Sequence, residues 1–321
     1  MFFVCEEQCI LLQSEDGKRV SSTEIRSLFS SQEEADTRII LHCMHASNKT
    51  ASDVKIIVRS PDTDVFLLLI YFSWDICHAV LFDTGTGNKR RLLNTRDIAK
   101  SIGVDMSHAL LGFHAMTGSD CTSAFVRRGK LGPLKLLEKN STFVELFNSF
   151  GSSEHVTDAS FAKLEQFVCH MYRHPTYRNV DELRCDIFKS RYQAKLSKDK
   201  LSFTAGIDLS LLPPCRSSLR LHCERANYQT MIWKRSHIAY SSLPSPTACG
   251  WILEEDGSIA VEWVQGDLMP QQLVDILASR EESSRGERNV NLDDELIYGD
   301  DVEEDYEVDN ILDIIFEDDD L

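Results

Sequence analysis

Val54-Lys55-Ile56-Ile57-Val58-Arg59-Ser60-Pro61-Asp62-Thr63-Asp64-Val65-Phe66-Leu67-Leu68-Leu69-Ile70-Tyr71-Phe72 is the stretch that decides the fold. Its opening is a short β-branched run, the composition of a strand buried in a parallel sheet. The run ends at Ser60-Pro61-Asp62-Thr63-Asp64, and Val65 to Phe72 is apolar enough for a buried helix. Upstream, Phe2 to Val20 reads as two short strands around a turn at Glu15-Asp16-Gly17. Ser30-Ser31-Gln32-Glu33-Glu34 then supplies a capping box, and the helix it opens places Ala35, Ile39, Cys43 and Ala46 on one face. Downstream, strands are expected at Ala79–Phe82 and, after the Gly85-Thr86-Gly87-Asn88 turn, at Arg91–Asn94. Asn94 or Thr95 caps a helix through Ile98 and Ile102, and a second helix runs from about Met106 to Met116. Alternation of this kind favours a parallel sheet with helices on both faces.

From Phe143 the pattern turns mainly helical, and Leu219, Cys223, Ala226, Thr230 and Trp233 form one stripe of a long helix. Trp251 and Trp263 flank a hairpin with its turn at Asp256-Gly257. The expected organisation is an α/β core over 1–142, a helical extension with the tryptophan hairpin over 143–277, and a disordered acidic tail over 278–321. The net charge of −17 is concentrated in that tail: Asp293 to Leu321 holds fifteen Asp and Glu and no Lys or Arg. Residues 1–292 hold 34 basic and 36 acidic groups, so their charge does not exclude a nucleic-acid partner. No apolar run reaches the ~18 residues of a membrane span, and the first residues lack the basic region of a secretory signal. The ten cysteines include no CxxC pair and read as mostly buried thiols in a reducing compartment, with the nucleus as the expected location. Cys169, His170, His174 and Cys185 fit no usual zinc spacing and read as residues of amphipathic helices.

Three acidic clusters stand where an open α/β sheet exposes its active edge. Asp62 and Asp64 follow the Val54–Val58 strand, Asp120 sits in the Thr117-Gly118-Ser119-Asp120 turn, and Glu33, Glu34 and Asp36 crowd a helix start. Convergent carboxylates repel one another unless a divalent cation neutralises them. Each also has a purely structural alternative: Glu33 and Glu34 complement the helix dipole, Asp62 caps the next helix, and Asp120 is a turn residue.

In order and spacing, Glu-Glu-Ala-Asp, then strand and Ser-Pro-Asp-Thr-Asp, then helix and Gly-Ser-Asp resembles PIN-like, flap-endonuclease-type nucleases. The resemblance implies a three-layer α/β/α domain that binds one or two Mg2+ or Mn2+ ions and hydrolyses phosphodiesters in structured DNA or RNA. Asp62 and Asp64 match the family's D-x-D pair, Asp120 its G-x-D aspartate, and Glu34 its helical glutamate. Glu33 or Asp36 stands in for the glutamate that Gln32 replaces. Ser123 to Lys135 is similar to the family's glycine-rich helix–two-turn–helix, which implies phosphate contacts from Arg127, Arg128, Lys130, Lys135 and Lys139. The alternative is a solvated helix face. Through about Leu277 the chain also resembles a group of animal proteins, often transposon-associated, that share the EEADTR, SPDTD and G-x-D-x-TSAF signatures.

The family takes a further aspartate from the end of a first strand, and residues 1–32 offer none. The expectation is therefore a core lacking its first βα unit, with catalysis weak or lost. The alternative function is a non-catalytic, transposon-derived module that binds nucleic acid or protein. In the tail, Val308, Ile311, Leu312 and Ile315 recur at helical spacing, which suits docking to a protein partner. The tail's acids would also compete as a polyanion for the Arg127–Lys139 surface.

Overall fold

In the computed structural model, residues 2–265 are described apart from 6, 15–16, 18, 50–53, 192–193, 198–199 and 204–207. Asp16 and the acidic tail lie outside the described residues. The chain is mixed α/β. Strands β1 (Phe2–Cys5), β2 (Gln8–Ser14) and β3 (Val20–Glu24) form an antiparallel sheet, with Leu11 opposite Thr23 in the β2–β3 pair. Helix α1 (Ala35–Lys49) leads to β4 (Ile56–Arg59), α2 (Thr63–Tyr71), β5 (Val80–Thr84) and β6 (Arg91–Asn94). The sheet order is β4-β5-β6.

The strand-and-helix reading of residues 54–72 holds, and its physical basis is visible. Val65 to Ile70 are all buried, so α2 is apolar around its whole circumference and belongs inside the core. β4 and β5 are parallel, with Val58 opposite Phe82. The expectation of a wholly parallel sheet fails at β6, which is antiparallel to β5, with Phe82 opposite Leu93. The six residues 85–90 between them are too few for a crossover, which takes a dozen or more, and only an antiparallel return is open.

Asn94 caps α3 (Thr95–Ile102), its Oδ1 accepting from Arg96 N–H at 3.2 Å. Gly103 then separates α3 from α4 (Val104–Thr117), which is almost wholly buried from Ala109 onward. Helices α5 (Leu131–Glu138), α6 (Ser141–Ser149), α7 (Asp158–Met171) and α8 (Val180–Arg191) follow, then the hairpin β7 (Ala194–Ser197) and β8 (Lys200–Phe203). Helix α9 (Arg216–Lys234) and the hairpin β9 (Trp251–Leu253) and β10 (Ile259–Val261) complete the described chain.

One hydrophobic core runs from Ile40 through α2, α4, α6 and α7 to Trp233, continuous across residue 142. The Leu219, Cys223, Ala226, Thr230 and Trp233 stripe is buried as expected. The rest of α9 is largely buried too, and there Leu221 and Tyr228 are joined by the polar Glu224, Arg225, Asn227 and Gln229. No helix among the described residues is long and apolar enough to cross a membrane. The described cysteines are free thiols.

The capping box does not form. Ser30 Oγ donates to the distant Ala239 carbonyl at 2.8 Å and accepts from Gln32 N–H, so a tertiary contact takes the hydroxyl the helix end would have used. The helix begins at Ala35, leaving Glu33 and Glu34 in the extended segment before it.

Candidate metal centre

Three separate segments bring carboxylates together: Glu34 and Asp36 at the start of α1, Asp62 and Asp64 after β4, and Asp120 after α4. Asp62 is the N-cap of α2: its Oδ1 accepts from Asp64 N–H at 2.8 Å, and Ser60 Oγ accepts from Asp62 N–H at 3.1 Å. The capping role and the cluster role coexist, because a cap uses one carboxylate oxygen and leaves the other. Asp36 enters from the first turn of α1. Ligand oxygens of Asp36, Asp62 and Asp64 lie within 4.8 Å of one another, a spacing at which the three can hold a metal ion.

Asp120 and Glu34 border this triad, and their charges bear on its members. Burial, followed by the charges of Asp62, Asp64, Glu34 and Asp120, raises Asp36 to about 6. Burial also raises Asp62, against the bond from Asp64 N–H, with the charges of Asp64 and Asp120 adding to it. Glu34 is raised by burial and by Asp64 and Asp120, although Gln229 Nε2 at 3.0 Å and the Trp233 indole both donate to it. Glu33 is exposed and does not join the triad.

Asp120 sits in a fixed turn. Ser119 and Thr122 exchange backbone bonds of 3.2 and 3.1 Å, and Thr122 Oγ1 donates to Ala115 O at 2.6 Å. Gly118 opens the turn at φ 122°, where a Cβ would meet the Ala124 Cβ at 2.8 Å. Cys121, beside Asp120, has its thiol 4.0 Å from Glu34 Oε1, and burial with the nearby carboxylates pushes it up to about 11.

Sequence reading missed the group that joins the triad to α4. His114 is buried; its Nε2 is 2.6 Å from Asp64 Oδ1 and its Nδ1 is 3.2 Å from Lys130 Nζ. An ammonium only donates, so Nδ1 accepts and Nε2–H points at the carboxylate. The imidazole also stacks on Trp233, with centroids 5.8 Å apart. Nothing local marks His114, since its partners lie 50 and 16 residues away along the chain.

The basic segment divides. Lys130 faces His114. The Arg128 guanidinium lies 4.6 Å over the Tyr172 ring. Arg127 is exposed at φ 52°, and its charge helps lower Asp208. Lys135 is half-buried on α5, and Lys139 is exposed just beyond it. Comparison with protein-family models, curated proteins and solved structures returned no match.

Proposed function

We propose that the chain is a PIN-like, divalent-metal-dependent phosphodiesterase domain acting on structured DNA or RNA. The observation that carries this reading is the triad of Asp36, Asp62 and Asp64, bordered by Glu34 and Asp120 and drawn from three segments, with Asp36 raised to about 6. So many acids in one place are costly without a counter-charge. The donors are all carboxylate oxygens, hard ligands that suit Mg2+ or Mn2+ better than zinc or copper, which favour nitrogen and sulfur. Asp36, Asp62 and Asp64 would hold a divalent ion, whose positive charge would polarise a phosphodiester and make water more acidic. Around it, the chain's own residues orient the ligands. Gln229 and Trp233 hold Glu34, His114 holds Asp64, and the Ser119–Thr122 turn holds Asp120. Arg127 and Lys139 are exposed on the segment after Asp120, where they suit phosphates flanking the site.

The test is calorimetric titration with Mn2+ and cleavage of a nicked or flapped duplex. Asp62→Asn and Asp64→Asn are each expected to weaken Mn2+ binding by about tenfold or more. Cutting is expected to be slow and to be abolished by Asp64→Asn. Absence of Mn2+ binding by the wild type would overturn the reading. Strong Mn2+ binding with no cleavage of DNA or RNA would favour the non-catalytic module instead.

A further inference from the structure

We propose that the segment Asp309–Glu317 of this chain docks as an added strand on the open edge of β4, in the groove between β4 and α1. The inference does not depend on metal binding at the carboxylates. β4 pairs with β5 on one side, and among the described residues no strand covers its other side. Ile56 N–H donates to Ala79 O at 3.0 Å and Ser60 N–H to Asp83 O at 3.2 Å, so the even-numbered positions bond to β5. The N–H and C=O groups of Ile57 and Arg59 therefore face outward, along the open edge. Strands of parallel pairing are normally covered, and an uncovered apolar edge is a template for another strand. Ile57 is 61% exposed on it.

The groove has a volume of about 1040 Å3. Ile39, Cys43, Ala46 and Val58 give it an apolar lining, and Arg38, Lys49 and Arg59 give it cations against Glu7 and Glu33. Lys55, next to Ile56, is exposed and adds a further positive charge. A fitting occupant is extended, apolar on one face and acidic on the other.

Asp309-Asn310-Ile311-Leu312-Asp313-Ile314-Ile315-Phe316-Glu317 has that pattern. At strand period, Leu312, Ile314 and Phe316 form one apolar face after Asn310, and Asp309, Asp313 and Glu317 alternate with Ile311 and Ile315 on the other. Three of its residues are isoleucine, which favours a strand. Helical spacing is present as well, but a helix cannot satisfy the outward backbone groups of Ile57 and Arg59, whereas a strand does. The apolar stretch at residues 268–277 carries a single acid, Asp275, and so lacks the charge match. Reach imposes no limit: the 43 residues 266–308 span up to about 140 Å when extended.

The test is amide hydrogen exchange on the full-length chain, comparing wild type with a Leu312→Ser/Ile314→Ser/Phe316→Ser variant that keeps every charge. The Ile57 and Arg59 amides are expected to exchange at least about tenfold faster in the variant, while Val58, bonded to β5, is unchanged. A Lys49→Glu/Arg59→Glu variant is expected to lose the same protection and to regain it when Asp313→Lys/Glu317→Lys is added. Equal exchange at Ile57 and Arg59 in wild type and the serine variant overturns the proposal. So does protection that ignores the serine changes and vanishes on dilution, which would assign the edge to a second copy of the chain.

Discussion

Asp36 shows how one side chain ties the cluster to the stability of the whole. Its carboxyl, raised to about 6 by burial and by four neighbouring acids, binds its proton more tightly in the folded chain than in the unfolded one. The stability it contributes is complete below the unfolded value and is lost as pH rises through about 6. Glu34 and Asp62 are raised as well and act with the same sign. Without metal, the melting temperature of the wild type should therefore fall between pH 5 and pH 7 relative to that of Asp36→Asn, and excess Mn2+ at pH 7 should restore the wild type alone. A difference between the two proteins that stays constant across this pH range would refute the linkage. His114 makes a second prediction at this scale. The Asp64 carboxylate only accepts and so holds Nε2–H, while Nδ1 accepts from Lys130; Lys130→Met should therefore free Nδ1 and leave Nε2–H facing Asp64. Nitrogen NMR of the imidazole should find Nε2–H in both proteins, with the Nδ1 resonance shifted in the variant as it loses the ammonium donor. An unshifted Nδ1 resonance in Lys130→Met would show that Lys130 does not bond the ring.

Elements were legible in the sequence where local pattern and tertiary packing agree, and illegible where they compete. The βα unit through Asp62 and Asp64 could be read because an apolar run and a cap point the same way. The start of α1 was misplaced because Ser30 spends its hydroxyl on Ala239, 209 residues away. The direction of β6 was missed because the turn signal at Gly85–Asn88 is itself a hairpin signal, and the alternation of strands and helices outweighed it. Among the acids, Asp62 and Asp64 were legible from motif order and Asp36 only as an alternative to Glu33, while Gln229, Trp233 and His114 were not legible, since long-range partners leave no local trace. Close packing of α4 on α6 is equally silent. A Cβ at Gly112 would run into Phe147 O and meet Phe150 Cβ at 2.9 Å. Gly112→Ala gains about 1 kcal/mol of helix propensity but forces a backbone shift worth about 1–3 kcal/mol, so overpacking is expected to dominate. Denaturant unfolding should show net destabilisation. It should also show weaker Mn2+ binding, because His114 lies two residues further along the same helix. A stabilised Gly112→Ala would mean that α4 and α6 can separate at little cost.

Across the whole molecule the charge is divided between two parts, near neutrality over residues 1–292 and fifteen uncompensated acids beyond. Under the proposed function, a nucleic-acid strand would be repelled by the carboxylate cluster until a divalent ion offsets it, and the uncompensated acids of residues 293–321 would add a repulsion that the ion leaves in place. Exposed charges act over about a Debye length, ~10 Å at 0.1 M salt, so the tail's effect on binding should be strongest in dilute buffer. Deleting residues 293–321 is therefore expected to tighten binding of a labelled nicked duplex at 50 mM salt, by fluorescence anisotropy in Ca2+, and to do so much less at 200 mM. The serine variant of Leu312, Ile314 and Phe316 separates charge from docking, because it keeps all fifteen acids while releasing the segment from β4. If repulsion and competition for the Arg127–Lys139 surface arise from the acids themselves, that variant should bind the duplex no more tightly than the wild type. Tightening by the serine variant as large as that by the deletion would instead mean that the docked segment, and not its charge, obstructs the site. Equal affinities of wild type and deletion at both salt concentrations would remove the tail from nucleic-acid binding altogether.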